Sequence, residues 1–154
     1  MTNEEQNYAD AGMIIRRPVS EVFNAIVDPE VTTKFWFTKS TGKLEAGKTV
    51  TWTWEMYGAS ADVKVETIEA DKRIIMFWGN AGSETKVEWN FRALDTDNTY
   101  LHVKDSGFTG TTAEILAKVR DSTGGYTTVI DGLKAWLELG IQLNLVGDKF
   151  PAGK

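Results

Sequence analysis

The chain has 154 residues, of which 42% are hydrophobic and 25% are charged, a composition that fits one packed domain and excludes a disordered chain. It contains no cysteine, which excludes disulfides, thiolate metal ligands and cysteine nucleophiles. The formal net charge is -5 and the basic residues are scattered, whereas nucleic-acid binding needs a clustered basic surface. The sequence shows no signal peptide and no run of the ~20 apolar residues needed to cross a bilayer. We therefore expect a cytoplasmic protein that neither inserts into membranes nor binds nucleic acid.

The N-terminal part predicts a flexible arm over residues 1–10, a short strand over 13–17 and two short helices. Pro18 suits the first position of a helix, because its missing N–H costs nothing there. The residues that follow place apolar side chains on one helical face: Val19, Val22, Phe23 and Ile26. Asp28 and Pro29 repeat the start signal, which predicts a second helix that ends near Trp36.

Between residues 38 and 108 the apolar residues recur every second position, which predicts strands joined by short turns and therefore paired antiparallel. One face of these strands is polar and meets water, and the other must be covered. The run 74–78 is apolar on both faces, so it is the candidate for the central strand. The apolar face comprises Val50, Trp52, Trp54, Met56, Ala61, Val63, Val65, Val87, Trp89, Phe91, Leu101 and Val103.

A helical region closes the chain and is long enough to cover the sheet. Thr111 and Glu114 have the spacing of a capping box, and the glycine pair 124–125 predicts an interruption. From Tyr126 an apolar stripe runs towards Val146, a span of roughly 30 Å at 1.5 Å per residue. The pattern predicts an α+β fold, with a curved antiparallel sheet of about six or seven strands wrapped around a long C-terminal helix. We expect a single domain over residues 11–147, followed by a tail over 148–154.

The local motifs and their order resemble the START-like superfamily (SRPBCC, polyketide-cyclase-like), and within it the activator of heat-shock-protein-90 ATPase homologue-like branch. The resemblance covers residues 12–142. It rests on six segments of this sequence: 17–26, 28–30, 35–37, 71–78, 125–126 and 129–133. It implies a helix-grip fold with a cavity between the sheet and the last helix.

Two positions depart from the pattern of the family that the sequence resembles. Where the family commonly has His-Ser-Gly, this chain has Asp105-Ser106-Gly107, and where it has Gly-Trp, this chain has Gly125-Tyr126. Members of the family bind lipids, polyketides or other apolar molecules, some catalyse cyclisation and others act with chaperones. The resemblance therefore implies the fold more firmly than the function.

Metal and triad chemistry are both disfavoured, because the chain contains a single histidine. His102 shares the polar face of its strand with Tyr100 and Lys104, so we expect it to be exposed to solvent. The glycines at 107 and 110 precede a helix and could form an anion site, but they lack the lysine and spacing of a P-loop. A plain strand-to-helix connection is the simpler interpretation. No metal or cofactor is expected.

Asp105 is the one candidate for a polar group inside the fold. By alternation it continues the inward series Leu101, Val103, Asp105, where burial would raise its pKa. The alternative is that the strand ends near Ser106 and that Asp105 caps the turn in water. Both interpretations remain open from the sequence.

The leading hypothesis is a module that binds a small apolar or aromatic ligand, lipid-like or polyketide-like, between the sheet and the last helix. We expect the inward aromatic side chains to form its walls and Asp105 to be its polar group. Whether large side chains fill the interior instead is left open. The predicted ligand-binding residues are Trp36, Trp52, Trp54, Met56, Val63, Val65, Met76, Trp78, Trp89, Phe91, Val103, Asp105, Phe108, Tyr126, Ile130 and Leu133.

Two further hypotheses compete with the ligand-binding module. The first is a cyclase- or hydrolase-like enzyme with Asp105 as acid or base, disfavoured because acid–base catalysis needs a matched partner. The second is a co-chaperone-like domain with a chaperone partner, disfavoured by the polar outer face of the sheet. We expect a monomer. Gly132, in the middle of the last helix, needs a packing reason, and we expect the indole of Trp136 to lie on it.

Overall fold

The computed structural model describes residues 7–152, and these form an α+β fold with one antiparallel sheet and a long helix near the C-terminus. The seven strands of the sheet are β1 (Tyr8–Ile15), β2 (Lys39–Ser40), β3 (Thr49–Trp54), β4 (Ala59–Glu69), β5 (Arg73–Trp78), β6 (Thr85–Ala93) and β7 (Thr99–Ser106). The four helices are α1 (Val19–Val27), α2 (Pro29–Thr32), α3 (Thr112–Leu139) and α4 (Leu145–Lys149). The predicted helix-grip architecture is therefore confirmed.

The sheet has the order β1-β7-β6-β5-β4-β3-β2, and every neighbouring pair is antiparallel. β5 lies in the middle, as its two apolar faces predicted. β1 is longer than expected, because Tyr8 already pairs with Ser106 of β7. The predicted flexible arm, 1–10, is therefore too long, and its residues 1–6 lie outside the described residues. The register of β4 shifts between Val65 and Thr67, which marks a bulge in that strand.

The two short helices follow β1 as predicted, but the second ends earlier than expected. Pro18 precedes α1 as its cap residue, and Asp28 caps α2 by accepting a hydrogen bond from the backbone N–H of Glu30 at 3.0 Å. α2 stops at Thr32, and turns carry the chain on to Trp36. These turns place the Trp36 side chain between the sheet and α3.

α3 corrects two predictions. It runs without interruption through Gly124 and Gly125, and it ends at Leu139 instead of near Val146. The capping box is present: the side chain of Thr111 accepts from the backbone N–H of Glu114, and the Glu114 side chain accepts from that of Thr111. Gly140 follows the helix with a φ of 67°, a left-handed conformation that suits glycine. Within residues 7–152, no helix is long and apolar enough to cross a membrane.

The C-terminal segment and the end of β3 also differ from expectation. Asp148 and Lys149 belong to α4, so the boundary predicted between 147 and 148 divides a short helix. β3 ends at Trp54, and residues 55–57 form a 3-10 turn that breaks the alternation. Met56 was predicted to face inward, but this turn leaves it 37% exposed.

The interior of the molecule is filled with aromatic side chains. Phe37 stacks on Trp52 with their ring centroids 4.4 Å apart, and Trp36 contacts Trp52, Trp78 and Trp89 edge-on. Edge-to-face and offset stacking are the arrangements that aromatic quadrupoles favour. This cluster supports the part of the sheet on which α3 lies.

Candidate functional site

Two adjoining grooves flank the N-terminal half of α3, and together they form the candidate site. The first, which we call the apolar groove, has a volume of about 290 Å³. It lies between the indole of Trp78 and one face of α3, and α4 forms its outer wall. Its lining residues are Trp36, Trp78, Asp121, Ser122, Gly125, Tyr126, Val129, Val146 and Phe150.

The second groove, which we call the polar groove, has a volume of about 310 Å³ and shares Trp78 and Ser122 with the first. It lies between the turn that joins β5 to β6 and the loop that joins β7 to α3. Because the two grooves share these residues, they lie side by side. Its lining residues are Trp78, Gly79, Asn80, Ser83, Thr85, Asp105, Phe108, Thr109, Lys118 and Ser122.

Asp105 lies at the floor of the polar groove, where it is hydrogen-bonded to Tyr126. β7 continues to Ser106, so the alternation of inward residues includes Asp105, which is only 2% exposed. Its Oδ2 accepts a hydrogen bond from the hydroxyl of Tyr126 at 2.8 Å. β7 does end at Ser106, as the alternative of a turn-capping aspartate assumed, but that alternative is wrong because Asp105 is buried and bonded to Tyr126 instead of lying in water.

Burial changes the pKa values of both partners in this pair. It raises the pKa of Asp105, although the hydroxyl of Thr85, the hydroxyl of Tyr126 and the indole N–H of Trp78 oppose the change. Only Tyr126 makes a hydrogen bond of normal geometry to the carboxylate. Burial, together with the neighbouring Asp105 charge, raises the pKa of Tyr126 well above its usual value. Tyr126 therefore keeps its proton at neutral pH and acts as a donor.

The second carboxylate oxygen of Asp105 lacks a hydrogen-bond partner. Among the residues described, three buried side-chain polar atoms have no hydrogen-bond partner: Asp105 Oδ1, Trp89 Nε1 and Arg73 Nε. Of these three residues, only Asp105 lines one of the two grooves. A buried acceptor without a donor costs free energy, so this oxygen can accept a hydrogen bond from a bound molecule.

The structure brings five of the predicted site residues to the grooves: Trp36, Trp78, Asp105, Phe108 and Tyr126. Others lie in the core and line neither groove: Trp52, Val63, Val65, Met76, Trp89, Phe91, Val103, Ile130 and Leu133. Trp54 is half-buried at the edge of the core, and Met56 lies beside α4 in a small separate pocket.

Sequence reasoning missed the contributions of Gly125, Lys118 and α4 to the grooves. Gly125 was interpreted as a break in the helix, and Lys118 is an exposed lysine of α3, a type of residue that by itself does not predict a binding site. α4 contributes Val146 and Phe150, but its five residues are too few for a periodic pattern. Val129 lines the apolar groove and was not predicted as a site residue either. It belongs to the apolar stripe of α3, and that stripe could have identified it.

The remaining candidates from the sequence are not part of the grooves. His102 lies on the polar face of β7 and is partly exposed, and its Nε2 is 2.9 Å from Oδ2 of Asp10. It is therefore paired across the sheet rather than free in solvent. Gly107 and Gly110 both have positive φ values, 94° and 127°, as expected for a strand-to-helix connection. Within residues 7–152 no cluster of three or more histidine or acidic residues is arranged to hold a metal ion.

A family model supports what the fold suggests. The model described as "Activator of Hsp90 ATPase homolog 1-like protein" matches residues 16–138 of this chain. The chain belongs to this family. No curated protein gives a significant match to the sequence.

Several solved structures share the fold of this chain. DynU16, from the dynemicin biosynthetic locus, has a TM-score of 0.77 and 21% identity over 88% of this chain and 49% of its own. The present chain thus spans about half of DynU16. A protein of Staphylococcus saprophyticus has a TM-score of 0.75 and 25% identity over 88% of this chain and 95% of its own. The Aha1 dimer of Colwellia psychrerythraea has a TM-score of 0.73 and 17% identity over 86% of this chain and 97% of its own.

The two positions at which this chain departs from the common pattern of its Hsp90-activator-like relatives contact each other. These two residues, Asp105 and Tyr126, share the hydrogen bond at the floor of the polar groove.

Proposed function

We propose that this protein binds a small apolar or aromatic ligand in the apolar groove between Trp78 and α3. The observation that supports the proposal is the groove itself, which has a volume of about 290 Å³ and is walled by Trp36, Trp78 and Val129. That volume is close to the lower end of the range for small-molecule sites, which starts at about 300 Å³. A flat molecule of two fused rings is a suitable size.

Partly exposed apolar surface supplies the driving force for binding. Phe150 is 41% exposed and Trp78 is only half-buried, although both border the groove. A ligand between them removes apolar area from water, which is favourable in proportion to the area buried. The core side of the groove is already rigid, because Trp36 is fixed by its neighbouring rings.

The proposal is tested by NMR titration with 2-methylnaphthalene, which has no polar group. We expect the signals of Gly125, Val129 and the Trp78 indole to shift. Shifts confined to the outer face of the sheet, at Lys64 and Glu88 for example, would contradict the proposal.

A pair of glycine variants sharpens this test. A Cβ at Gly125 or at Gly124 meets no atom within 4 Å, so both positions accept a side chain. Only Gly125 lines the apolar groove. We expect Gly125→Leu to weaken 2-methylnaphthalene binding by about tenfold or more, or about 1.4 kcal/mol, while Gly124→Leu binds as the wild type does. Equal affinities of the two variants would contradict the proposed location.

Contact with an Hsp90-type chaperone is a second candidate function, favoured by the family and by a specific surface. Four exposed apolar residues follow one another from the end of α3 to the end of α4: Leu139, Ile141, Leu143 and Phe150. Large apolar side chains left exposed to water are typical of interaction sites when they form one surface. If these residues bind Hsp90, Leu139→Ser should weaken the complex in calorimetry. Leu116→Ser should not, although Leu116, near the other end of α3, is 63% exposed against 71% for Leu139.

A further inference from the structure

The free oxygen of Asp105 is a feature that an apolar ligand alone does not satisfy. Asp105 is 2% exposed and lines the polar groove, and its Oδ1 has no hydrogen-bond partner within residues 7–152. Its other oxygen is already occupied by the hydroxyl of Tyr126 at 2.8 Å. A molecule in the polar groove can therefore meet one free acceptor position at its floor.

The donor groups around Asp105 favour its ionised form and oppose the effect of burial, which raises its pKa. Tyr126 donates a hydrogen bond to it, and the hydroxyl of Thr85 and the indole N–H of Trp78 are further donors beside it. An ionised carboxylate only accepts hydrogen bonds, so an environment of donors stabilises that form. The free oxygen is consequently an acceptor, and its complement in a ligand is a hydroxyl or an N–H group.

Lys118 restricts the charge of that ligand group. Its ammonium lies at the rim of the same groove, where it donates a hydrogen bond to the backbone carbonyl of Thr109 at 2.7 Å. A cationic ligand group is repelled by Lys118 and attracted by Asp105, and for an anionic group the two signs are reversed, so neither charge is favoured by both residues. A neutral donor avoids both penalties, and it also avoids the cost of removing an ion from water.

We propose that Asp105 Oδ1 anchors a neutral hydroxyl or N–H group of the ligand in the polar groove. The ligand class is then an elongated molecule with an apolar ring system in the apolar groove and a neutral donor at its other end. The two grooves adjoin at Trp78 and Ser122, where such a molecule would pass from one to the other. This inference rests on the proposed ligand-binding function and adds the chemistry of the second groove.

The test compares alcohols with their methyl ethers, which differ in the presence of a donor. The probes are 2-naphthylmethanol, 2-(2-naphthyl)ethanol and 3-(2-naphthyl)propan-1-ol. They carry linkers of three lengths, so that one of them can place its hydroxyl at Asp105 while its rings lie in the apolar groove. We expect at least one alcohol to bind about tenfold more tightly than its ether, or about 1.4 kcal/mol, by calorimetry at pH 7. If no alcohol exceeds its ether by about threefold, the anchor is wrong.

Asp105→Asn makes the test specific to the proposed anchor. The amide oxygen can take over the hydrogen bond from Tyr126, which turns the amide N–H₂, a donor, towards the groove. We expect the preference to disappear or to invert in favour of the ether. Asp131→Asn removes the same charge from an exposed position of α3 outside both grooves, and it should retain the wild-type preference. A wild-type preference in Asp105→Asn would overturn the inference.

A smaller pair of probes separates this inference from the proposed function. Phenol and anisole need only the polar groove, and the carboxyl carbon of Asp105 reports on them by ¹³C NMR. A shift with phenol but not with anisole supports the anchor, even if 2-methylnaphthalene fails to bind and the apolar groove is unoccupied. Equal responses to phenol and anisole, or no response to either, overturn the anchor and leave the apolar groove to its own test.

Discussion

Asp105 and Tyr126 illustrate how a single buried hydrogen bond combines cost and benefit. Removing a carboxylate from water is unfavourable, and the pKa of Asp105 is raised for that reason. Tyr126 recovers part of this cost, since hydrogen bonds to charged groups contribute about 1.5–3 kcal/mol. The remaining cost of desolvation is not offset, because Oδ1 has no donor. A donor group of a bound molecule can therefore offset part of it.

The raised pKa of Asp105 predicts a definite pH dependence of stability. The folded state binds the proton more tightly than the unfolded chain, whose Asp pKa is about 3.9. The contribution of Asp105 to stability is thus complete below that value and is lost as the pH rises through the raised folded pKa. The side chain at this position in Asp105→Asn cannot ionise. The free energy of unfolding of the variant minus that of the wild type should therefore increase from pH 4 to pH 7. At pH 7 the variant should be as stable as the wild type or more stable. Urea unfolding at both pH values checks this.

Tyr126→Phe changes the other partner of this hydrogen bond, and we expect it to have the opposite effect on stability as the pH rises. It removes the donor that lowers the pKa of Asp105, so the loss of stability should grow with pH and reach about 1.5–3 kcal/mol at pH 7. A loss that is larger at pH 4 than at pH 7 would show that the carboxylate is not the species that Tyr126 stabilises.

At the residue scale the sequence predicted the direction of Asp105 but not its partner. Strand alternation has a period of two, so the inward direction follows from Leu101 and Val103 once β7 is known to continue. The partner lies on α3, whose rotation about its own axis depends on packing and not on local sequence. Tyr126 was expected at the ligand site for its aromatic ring, whereas the structure adds a hydroxyl that donates to Asp105.

At the scale of secondary structure, α3 shows why local propensity misled the prediction. Two adjacent glycines each cost about 1 kcal/mol in a helix, which favoured an interruption at Gly124–Gly125. The helix continues through them because most of the stability of a helix in a protein comes from tertiary packing of one face. A capping box at Thr111 and a left-handed Gly140 also stabilise the two ends. The bare backbone at Gly125 leaves room for the apolar groove.

A third glycine of α3, Gly132, has the packing reason that was expected, but with a different partner. A Cβ at this position would lie 3.1 Å from the Cβ of Phe35, in the turns that follow α2. Trp136, predicted to cover Gly132, has the ammonium of Lys34 over its ring at 5.6 Å. The helix approaches these turns closely because Gly132 has no side chain.

We expect Gly132→Ala to lower the thermal midpoint, although alanine is the better helix former. The contact with Phe35 requires the turn to shift, and overpacking of this kind costs about 1–3 kcal/mol. Gly124→Ala makes the same change in the same helix, where the new Cβ meets nothing within 4 Å. It should gain up to about 1 kcal/mol. Because both variants share the gain in propensity, the difference between them in thermal denaturation measures the contact, and equal gains would contradict it.

At the scale of the whole molecule, the position of the candidate site follows from how the interior is filled. In this fold the curved sheet wraps around α3, and the sequence did not determine whether a cavity lies between the sheet and this helix. Trp52, Trp89, Ile130 and Leu133 are fully buried in one core cluster and line neither groove. Both grooves instead flank the N-terminal half of α3. The volume left between layers depends on helix-to-sheet distance, which composition and periodicity do not encode.

The last wall of the apolar groove comes from the end of the chain and is held by a residue far away in sequence. The hydroxyl of Tyr57, in the turn between β3 and β4, donates to the carbonyl of Val146 at 3.2 Å and also to that of Phe150. α4 is short, and apart from this contact it is held mainly by packing. Its amides are therefore expected to exchange with solvent through local opening instead of global unfolding.

Tyr57→Phe should release α4 without destabilising the sheet. A net hydrogen bond contributes about 1 kcal/mol, so hydrogen exchange at the amides of Asp148 and Phe150 should accelerate roughly fivefold. Those two amides are suitable reporters, because they donate to the carbonyls of Asn144 and Val146 at 3.0 and 2.9 Å. Exchange along β6 and β7 should be unchanged. Tyr100→Phe, which makes the same change on β7 beside His102, should leave α4 as it is in the wild type. If Tyr57→Phe accelerates exchange in α4 and in β6 and β7 equally, α4 unfolds only with the whole domain, and the groove wall cannot open independently to admit a ligand.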